Sequence, residues 1–281
     1  MGRVDMSSLR SMLLGLLFAG TAALLAAPQP VAAATVHAAL DLRQNVAPSP
    51  DFWPTCQASP ASSACQSQVV QAIDAARAAE GVGPLYLPRN FADLTPQEQL
   101  FAVLNLERVD RGLPPIQALY QGLSADAEPA AVEERDPVGS GGSAWASNWS
   151  YGYGPLTSDF FWMYGDGYDG MHTGNVDCTS PTAAGCWGHR RNILLDVPGA
   201  GPYFSIGIGF AHTGPYQVFT TLTYQSTSPL LGDVPVYTWV QELAAGADVP
   251  AGDSSLPVEA PSPDGQILWM RTLPQPARHI G

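Results

Sequence analysis

Cys186-Trp187-Gly188-His189-Arg190-Arg191-Asn192-Ile193-Leu194 is the stretch on which the reading of this chain turns. A short helix is predicted over residues 189–195, with Gly188 just before it and a histidine and two arginines in its first turn. Past Gly201 the pattern changes. FSIGIGF (204–210) and YQVFTTLTY (216–224) are rich in β-branched and aromatic residues, and His212-Thr213-Gly214 joins them as a turn. Upstream the periodicity is helical. Helices first and a hairpin after, without regular alternation of strand and helix, predict an α+β fold rather than a doubly wound sheet.

The upstream helices have readable ends. QVVQAIDAARAAE (68–80) follows helical spacing, with Ser67 as the expected cap and Gly81 as the stop. LFAVLNLERVDR (100–111) has the clearest start in the chain, a capping box of Thr95 and Glu98 with Pro96 at the first helical position. It ends at Gly112. The two helices end alike: Asp74, Arg77, Gly81 and Leu85 recur as Asn105, Arg108, Gly112 and Ile116, 31 residues later. A duplication is one reading, and two amphipathic helices with ordinary glycine stops is the simpler one. A third helix is expected around 124–134 with Ser124 as its cap, then a GSGGS loop, the aromatic stretch WASNWSYGYG (145–154) and a short helix at 159–164. Residues 234–245 read as a helix and GQILWMRTL (265–273) as a final strand.

On its own, a histidine such as His189 satisfies a backbone carbonyl more often than it performs chemistry. Its unperturbed titration near pH 6.5 still suits it to act as base, ligand or donor. Arg190 and Arg191 read as a solvated face and one internal salt bridge. The segment resembles the G-H-R-x-N-I-L signature of bacterial CAP-superfamily domains, the SCP-like domains of cysteine-rich secretory and pathogenesis-related proteins. Four further landmarks stand in that family's order over roughly residues 95–225. Asn105 and Arg108, followed by Gly112 and Pro114, match its first helix. Ala146-Ser147-Asn148-Trp149-Ser150 matches its G-E-N-I-A stretch in part, Phe161-Trp162-Met163-Tyr164 its tryptophan helix, and Ile206-Gly207-Ile208-Gly209-Phe210 its glycine-rich strand.

The resemblance implies a CAP-like α-β-α sandwich, with an antiparallel sheet between helical layers, and a surface cleft. In many members two histidines and two acidic residues line that cleft and can hold a divalent metal. Here His189 matches the second histidine, and Asp166 lies near the second acidic position with Asp169 as a neighbour. Ser147 stands where the first glutamate belongs, and the 124–134 helix has no histidine, for which His172, in a loop that the sequence does not place, is the candidate replacement. Cleft residues are therefore expected to be His189, Asp166, Asp169, Ser147, Asn148 and Trp162, with Asn105, Arg108, Arg190 and Asn192 as motif positions. No cofactor is expected, with a bound divalent metal as the alternative. GDGYDG (165–170) lacks the closing bidentate Glu of a calcium loop. The implied function is a non-enzymatic binding module for a lipid, peptide or envelope partner. The alternative is an extracellular, peptidase-like hydrolase using His189 and Asp166.

The N-terminus reads as an export signal. Arg3 and Arg10 flank the start, residues 12–27 (MLLGLLFAGTAALLAA) are apolar but short for a membrane span, and Ala32-Ala33-Ala34 offers small residues for cleavage after Ala34. The expected organisation is a signal peptide (1–34), an N-terminal extension with one helix (35–94), the CAP-like domain (95–225) and a C-terminal extension (226–281). The extension is expected to be extended to about residue 63, and a third, structural reading has residues 35–94 pack over the cleft and regulate access. The net charge of −13, with all twelve basic residues arginine, makes nucleic acid an unfavourable partner. Four cysteines allow three pairings. In an exported chain the simplest is local, Cys56 with Cys65 and Cys178 with Cys186.

Overall fold

The computed structural model describes Asn45 and residues 52–60, 62–141, 144–170 and 174–248. The expected signal peptide, most of the Ala/Pro-rich stretch after it, and the strand expected at 265–273 lie outside these. Helix α1 (Trp53–Ala58) occupies a stretch expected to be extended, and the Cys56–Cys65 disulfide joins it to α2 (Ser63–Ala79). Ser62, not Ser67, caps α2, its hydroxyl accepting the amide of Cys65 at 3.2 Å. The apolar period is not visible until Val69, whereas the helix begins at the first side chain able to accept its free amides. A 3-10 turn at Phe91–Asp93 leads to α3 (Pro96–Val109), which starts where its capping box places it. Thr95 Oγ1 accepts from Glu98 N at 3.3 Å, and Glu98 Oε2 accepts from Thr95 N at 2.8 Å.

The ends of α2 and α3 are the same structure built twice. Leu85 N donates to Asp74 Oδ1 at 2.7 Å, and Ile116 N donates to Asn105 Oδ1 at 2.7 Å. Arg77 Nε donates to Gly83 O at 2.7 Å, and Arg108 Nε to Pro114 O at 3.0 Å. The amides of Val82 and Leu113 return to the carbonyls of Arg77 and Arg108 at 2.9 and 3.0 Å. Gly81 and Gly112 turn the chain with φ of 74° and 78°, a left-handed conformation that costs a residue with Cβ about 1 kcal/mol or more. The 31-residue offset in the sequence therefore marks a repeated helix exit, more than two ordinary glycine stops.

Strand β1 (Ala118–Tyr120) follows the second exit and runs into α4 (Gln121–Val132). Ser124 does not cap α4. Its hydroxyl donates to Tyr120 O at 2.8 Å and accepts from Ile208 N at 3.1 Å, pinning the helix to the sheet. The capping acceptor is Asp233, whose carboxylate takes the amides of Gly122 and Leu123 at 2.7 and 3.1 Å. Strand β2 (Ala144–Gly152) accounts for the aromatic stretch, and α5 (Pro155–Tyr164) and α6 (Gly188–Ile193) follow. The hairpin is β3 (Tyr203–Thr213) and β4 (Tyr216–Ser226), with Gly214 and Pro215 at its tip. The helix expected at 234–245 is instead β5 (Pro235–Thr238) and then α7 (Trp239–Ala244), which starts at a Thr238–Gln241 capping box.

The fold is α+β. The five strands are ordered β2-β4-β3-β1-β5. An all-antiparallel sheet was expected, but β1 pairs with β3 in parallel, Ala118 opposite Ser205. Parallel neighbours require a long crossover, and residues 121–202 supply it. α4 lies so close to β3 that a Cβ at Gly207 would sit 2.1 Å from the Leu123 carbonyl. The other face of β3 carries Phe204, Ile206 and Ile208 into the main core with Leu100, Leu104 and Phe160. That core also takes Phe52, Ile73, Ala76, Tyr237 and Trp239, so residues on both sides of the 95–225 segment are part of it.

Inside this apolar setting lies a chain of buried charges. Glu80 faces two arginines: Arg111 Nη2 at 2.8 Å, and Arg190 through Nη1 at 2.8 Å and Nη2 at 2.9 Å. Glu107 bonds Arg111, lies 3.1 Å from Arg77 Nη1 and accepts the Tyr164 hydroxyl at 2.9 Å. Arg77 also bonds Asp110. Burial alone would raise the Glu107 carboxyl, but Arg111 and Arg77 outweigh it and hold the group below its ordinary range. Asp159, fully buried nearby, goes the other way: burial, reinforced by Glu107, pushes its carboxyl well above the ordinary range. Replacing Glu80 with Ala strands buried Arg190 without a counter-charge and leaves Arg111 with Glu107 alone, and urea denaturation should show a loss of about 3–5 kcal/mol. A loss of less than about 1 kcal/mol, the scale of an exposed pair, would show that the network does not bear on stability.

Candidate functional site

The site is built at the junction between the end of α5 and the start of α6. The first turn of α6 has no cap of its own, because Trp187 has no side-chain acceptor and sits at φ 61°, φ 61° being uncommon for a bulky residue. That conformation is held from both ends. The amide of Trp187 donates to Asp166 O at 3.0 Å, and the buried ring packs with the Cys178–Cys186 disulfide. The turn aims the α6 amides at Asp166, whose Oδ2 accepts from Arg190 N at 3.1 Å. Asp166, two residues beyond α5, thus does for α6 what an N-cap residue does for other helices.

The same carboxylate holds His189. Nδ1 of the imidazole lies 2.6 Å from Asp166 Oδ1, which also accepts from Asn175 Nδ2 at 2.7 Å. Asn175 Nδ2 reaches Gly185 O at 3.0 Å as well, so it ties the disulfide-closed loop to the carboxylate. Asn45 braces the neighbouring peptide, accepting from Gly167 N at 2.6 Å and donating to Gly167 O at 3.2 Å. With Asp166 accepting at Nδ1, Nε2 is the imidazole's remaining nitrogen, and 18% of the side chain is exposed. Burial lowers the affinity of His189 for its second proton, but the hydrogen bond and charge of Asp166, with Asp136 and Asp177 adding to them, reverse this and leave its pKa raised.

Motif residues form the frame around this pair. Arg108 reaches across to the end of α6 and donates to the carbonyls of Ile193 and Leu195 at 2.7 and 2.9 Å. Its guanidinium sits 4.4 Å over the Phe204 ring, and burial lowers its pKa to about 10. Asn105 is occupied by the helix exit, and Arg190 by Glu80 and Met163 O. Arg191 is exposed and bonds the carbonyls of Cys186 and Ala184. Asn192 donates to Ser147 O at 2.7 Å and to Asn148 Oδ1 at 3.0 Å, and Asn148 donates to His189 O at 3.3 Å. Trp162 lies nearly parallel to the His189 ring, with centroids 6.4 Å apart.

Of the residues expected at the cleft, His189, Asp166, Asn148 and Trp162 come together. Ser147 contributes its carbonyl, and strand alternation sends its side chain to the face opposite Asn148. Asp169 Oδ2 accepts from Gly174 N at 3.2 Å within its own loop. His172 is outside the described residues. Among the described residues no group of three or more histidine, cysteine or acidic side chains is placed to hold a metal ion. The sequence reading missed Asn175, Asn45, Asp136 and Asp177. Asn175 alone left a trace, standing three residues before a cysteine whose loop it organises.

Because the folded pKa of His189 is raised, its protonation adds stability that is complete below about pH 6.5 and is lost as pH rises through the folded value. Following the His189 Cε1 proton by NMR should give a titration above the ordinary value, and Asp166→Asn should lower it. Thermal unfolding over about pH 5–8 should show the matching loss of stability in the wild type and a flatter profile in His189→Gln. An unchanged His189 titration in Asp166→Asn would mean that Asp166 is not its proton-holding partner. No family model, curated protein or solved structure matches the chain.

Proposed function

We propose that the chain is a secreted binding module of the CAP-like type, non-enzymatic, which presents His189 at a surface cleft to a lipid, peptide or cell-envelope partner. The observation that carries this reading is what Asp166 does. Its carboxylate accepts from His189 Nδ1, Arg190 N and Asn175 Nδ2 together. A carboxylate so engaged braces a surface; it has little capacity left to ligate a metal or relay a proton. His189 in its charged form offers an Nε2–H donor to an acceptor on the partner, and the raised pKa extends that form toward neutral pH.

The CAP-like part of the proposal is supported by the order of landmarks from Asn105 to Phe210, and by Arg108 gripping the carbonyls that end α6. Export is supported by the pairing of all four cysteines, which suits an oxidising compartment. Among the described residues no helix is long and apolar enough to cross a membrane.

One observation favours the hydrolase alternative: a carboxylate at Nδ1 is also how enzymes orient a histidine base. Two assays on the purified, disulfide-intact protein separate the readings. The first measures binding to phosphatidylcholine vesicles and to an immobilised decapeptide array at about pH 6 and pH 8. We expect saturable binding to one of these, weaker at the higher pH and reduced about tenfold or more in His189→Ala. The second follows a mixed fluorogenic peptide library, for which no turnover is expected. Peptide cleavage that His189→Ala abolishes, with the circular dichroism spectrum unchanged, would establish the hydrolase instead.

A further inference from the structure

A cavity lies away from the His189 pair. It encloses about 310 Å3 between the start of α2, the turn at Phe91–Asp93 and the junction of β2 with α5. Among the described residues its lining contains no charged side chain. Ser63, Gln66 and Gln217 give it hydroxyl and amide groups, the Thr157 hydroxyl and the Gln99 amide nitrogen being bonded already to Gly154 O and Phe91 O, and Tyr153 gives it an aromatic wall. Gln217 Oε1 is buried there without a hydrogen-bond partner among the described residues.

The wall continues outward as a row of rings. Tyr151 packs on Tyr216 at 4.4 Å between centroids, Tyr216 stacks on Tyr153 at 5.2 Å, and Trp53 meets Tyr153 edge-on at 4.6 Å. The two ends of the row are open to solvent, Tyr151 at 39% and Trp53 at 42% exposure. Large aromatic side chains left in water beside a cavity mark a contact surface rather than a packing need.

The chemistry of this surface selects its ligand. An ion would lose its hydration in the cavity without meeting a counter-charge, and the chain's net charge of −13 repels anions in particular. Amides and hydroxyls both donate and accept, which matches a partner made of hydroxyl groups. Exposed aromatic faces match the apolar C–H faces of a sugar ring. A peptide adding to the edge of β2 is disfavoured, because the carbonyls of Ser147 and Trp149 are already bonded by Asn192 and Trp162. We propose that this cavity and its aromatic row bind a neutral oligosaccharide, with a sugar ring on Tyr151 or Trp53 and a neighbouring unit hydrogen-bonded to Gln217 in the cavity. This site is separate from the one proposed around His189.

The test is saturation-transfer NMR with calorimetry on the disulfide-intact protein, using cellohexaose, maltohexaose and N-acetylchitohexaose as probes. An oligogalacturonate and an uncharged Gly/Ser/Gln decapeptide serve as comparisons. At least one neutral hexasaccharide should bind saturably. Trp53→Ala and Tyr151→Ala, both at exposed positions, should each weaken it by about fivefold or more, and Gln217→Ala should weaken it with an unchanged unfolding temperature. His189→Ala should leave it unaffected, which separates this site from the other. The proposal fails if none of the three sugars binds at up to about 10 mM, if the aromatic variants bind as the wild type does, or if the oligogalacturonate or the decapeptide binds as well and through the same residues.

Discussion

Glu80 is the residue on which three helices of this fold meet. It stands at the end of α2 and holds Arg111 just beyond α3 and Arg190 in α6, a residue 110 positions away. Burying one carboxylate and two guanidinium groups costs several kcal/mol per ion, and mutual attraction offsets this only when the geometry is good and the remaining donors are bonded. Both conditions hold. Arg190 also donates to Met163 O, and Arg111 to Glu107, its own turn's carbonyl and the Tyr164 hydroxyl. The paired charges also balance: Arg77, Arg111 and Arg190 face Glu80, Glu107 and Asp110. Apolar side chains could fill the same volume at no electrostatic cost, so the benefit lies in specificity. Each arginine has one place to go, and α2, α3, α5 and α6 take one arrangement as a result.

The His189 pair depends on that arrangement. Once Glu80 fixes Arg190 and Arg108 fixes the end of α6, the helix can neither rotate nor slide. A left-handed Trp187, costing about 1–2 kcal/mol, is then an affordable way to enter it. The bonds from Asp166 to Trp187, Arg190 and His189 are formed without displacing anything else. His189 is thus held by structure that would be needed in its absence, and its orientation is settled before any ligand arrives. That preorganisation favours recognition, because a rigid donor loses little freedom on binding.

What could be read from the sequence was what local chemistry determines. The Thr95–Glu98 box fixed the start of α3, the β-branched runs gave the hairpin, and the segment around His189 gave α6 and its residue of interest. The 31-residue recurrence was visible too, but its meaning lay in paired hydrogen bonds that no residue list displays. β2 was readable in principle: Trp145, Trp149 and Tyr151 alternate with Ala146, Asn148 and Ser150, a period of two that the density of aromatic residues obscured. The misplaced caps, Ser67 and Ser124, show the limit of local signals. Ser62 caps α2 from a segment without apolar periodicity, and the cap of α4 comes from Asp233, 111 residues away. Asn45 bracing Gly167 over 122 residues left no local trace at all.

Helix α5 fixes the distance between the two candidate surfaces. Its first residues, Pro155, Leu156 and Thr157, line the uncharged cavity, and the chain leaving its other end delivers Asp166 to His189. Ten residues of α-helix span about 15 Å. The helix is anchored along that length. Ser158 bonds Ser150, the Trp162 indole donates to Trp149 O, and the Tyr164 hydroxyl is fastened to Glu107. Conveying a small displacement from one end to the other requires an element with two arrangements, and three anchors along its length oppose a second arrangement of α5. The two surfaces therefore act as independent sites at a fixed spacing. Substitutions at one should add to substitutions at the other without coupling, as expected for groups more than about 10 Å apart with no shared partner.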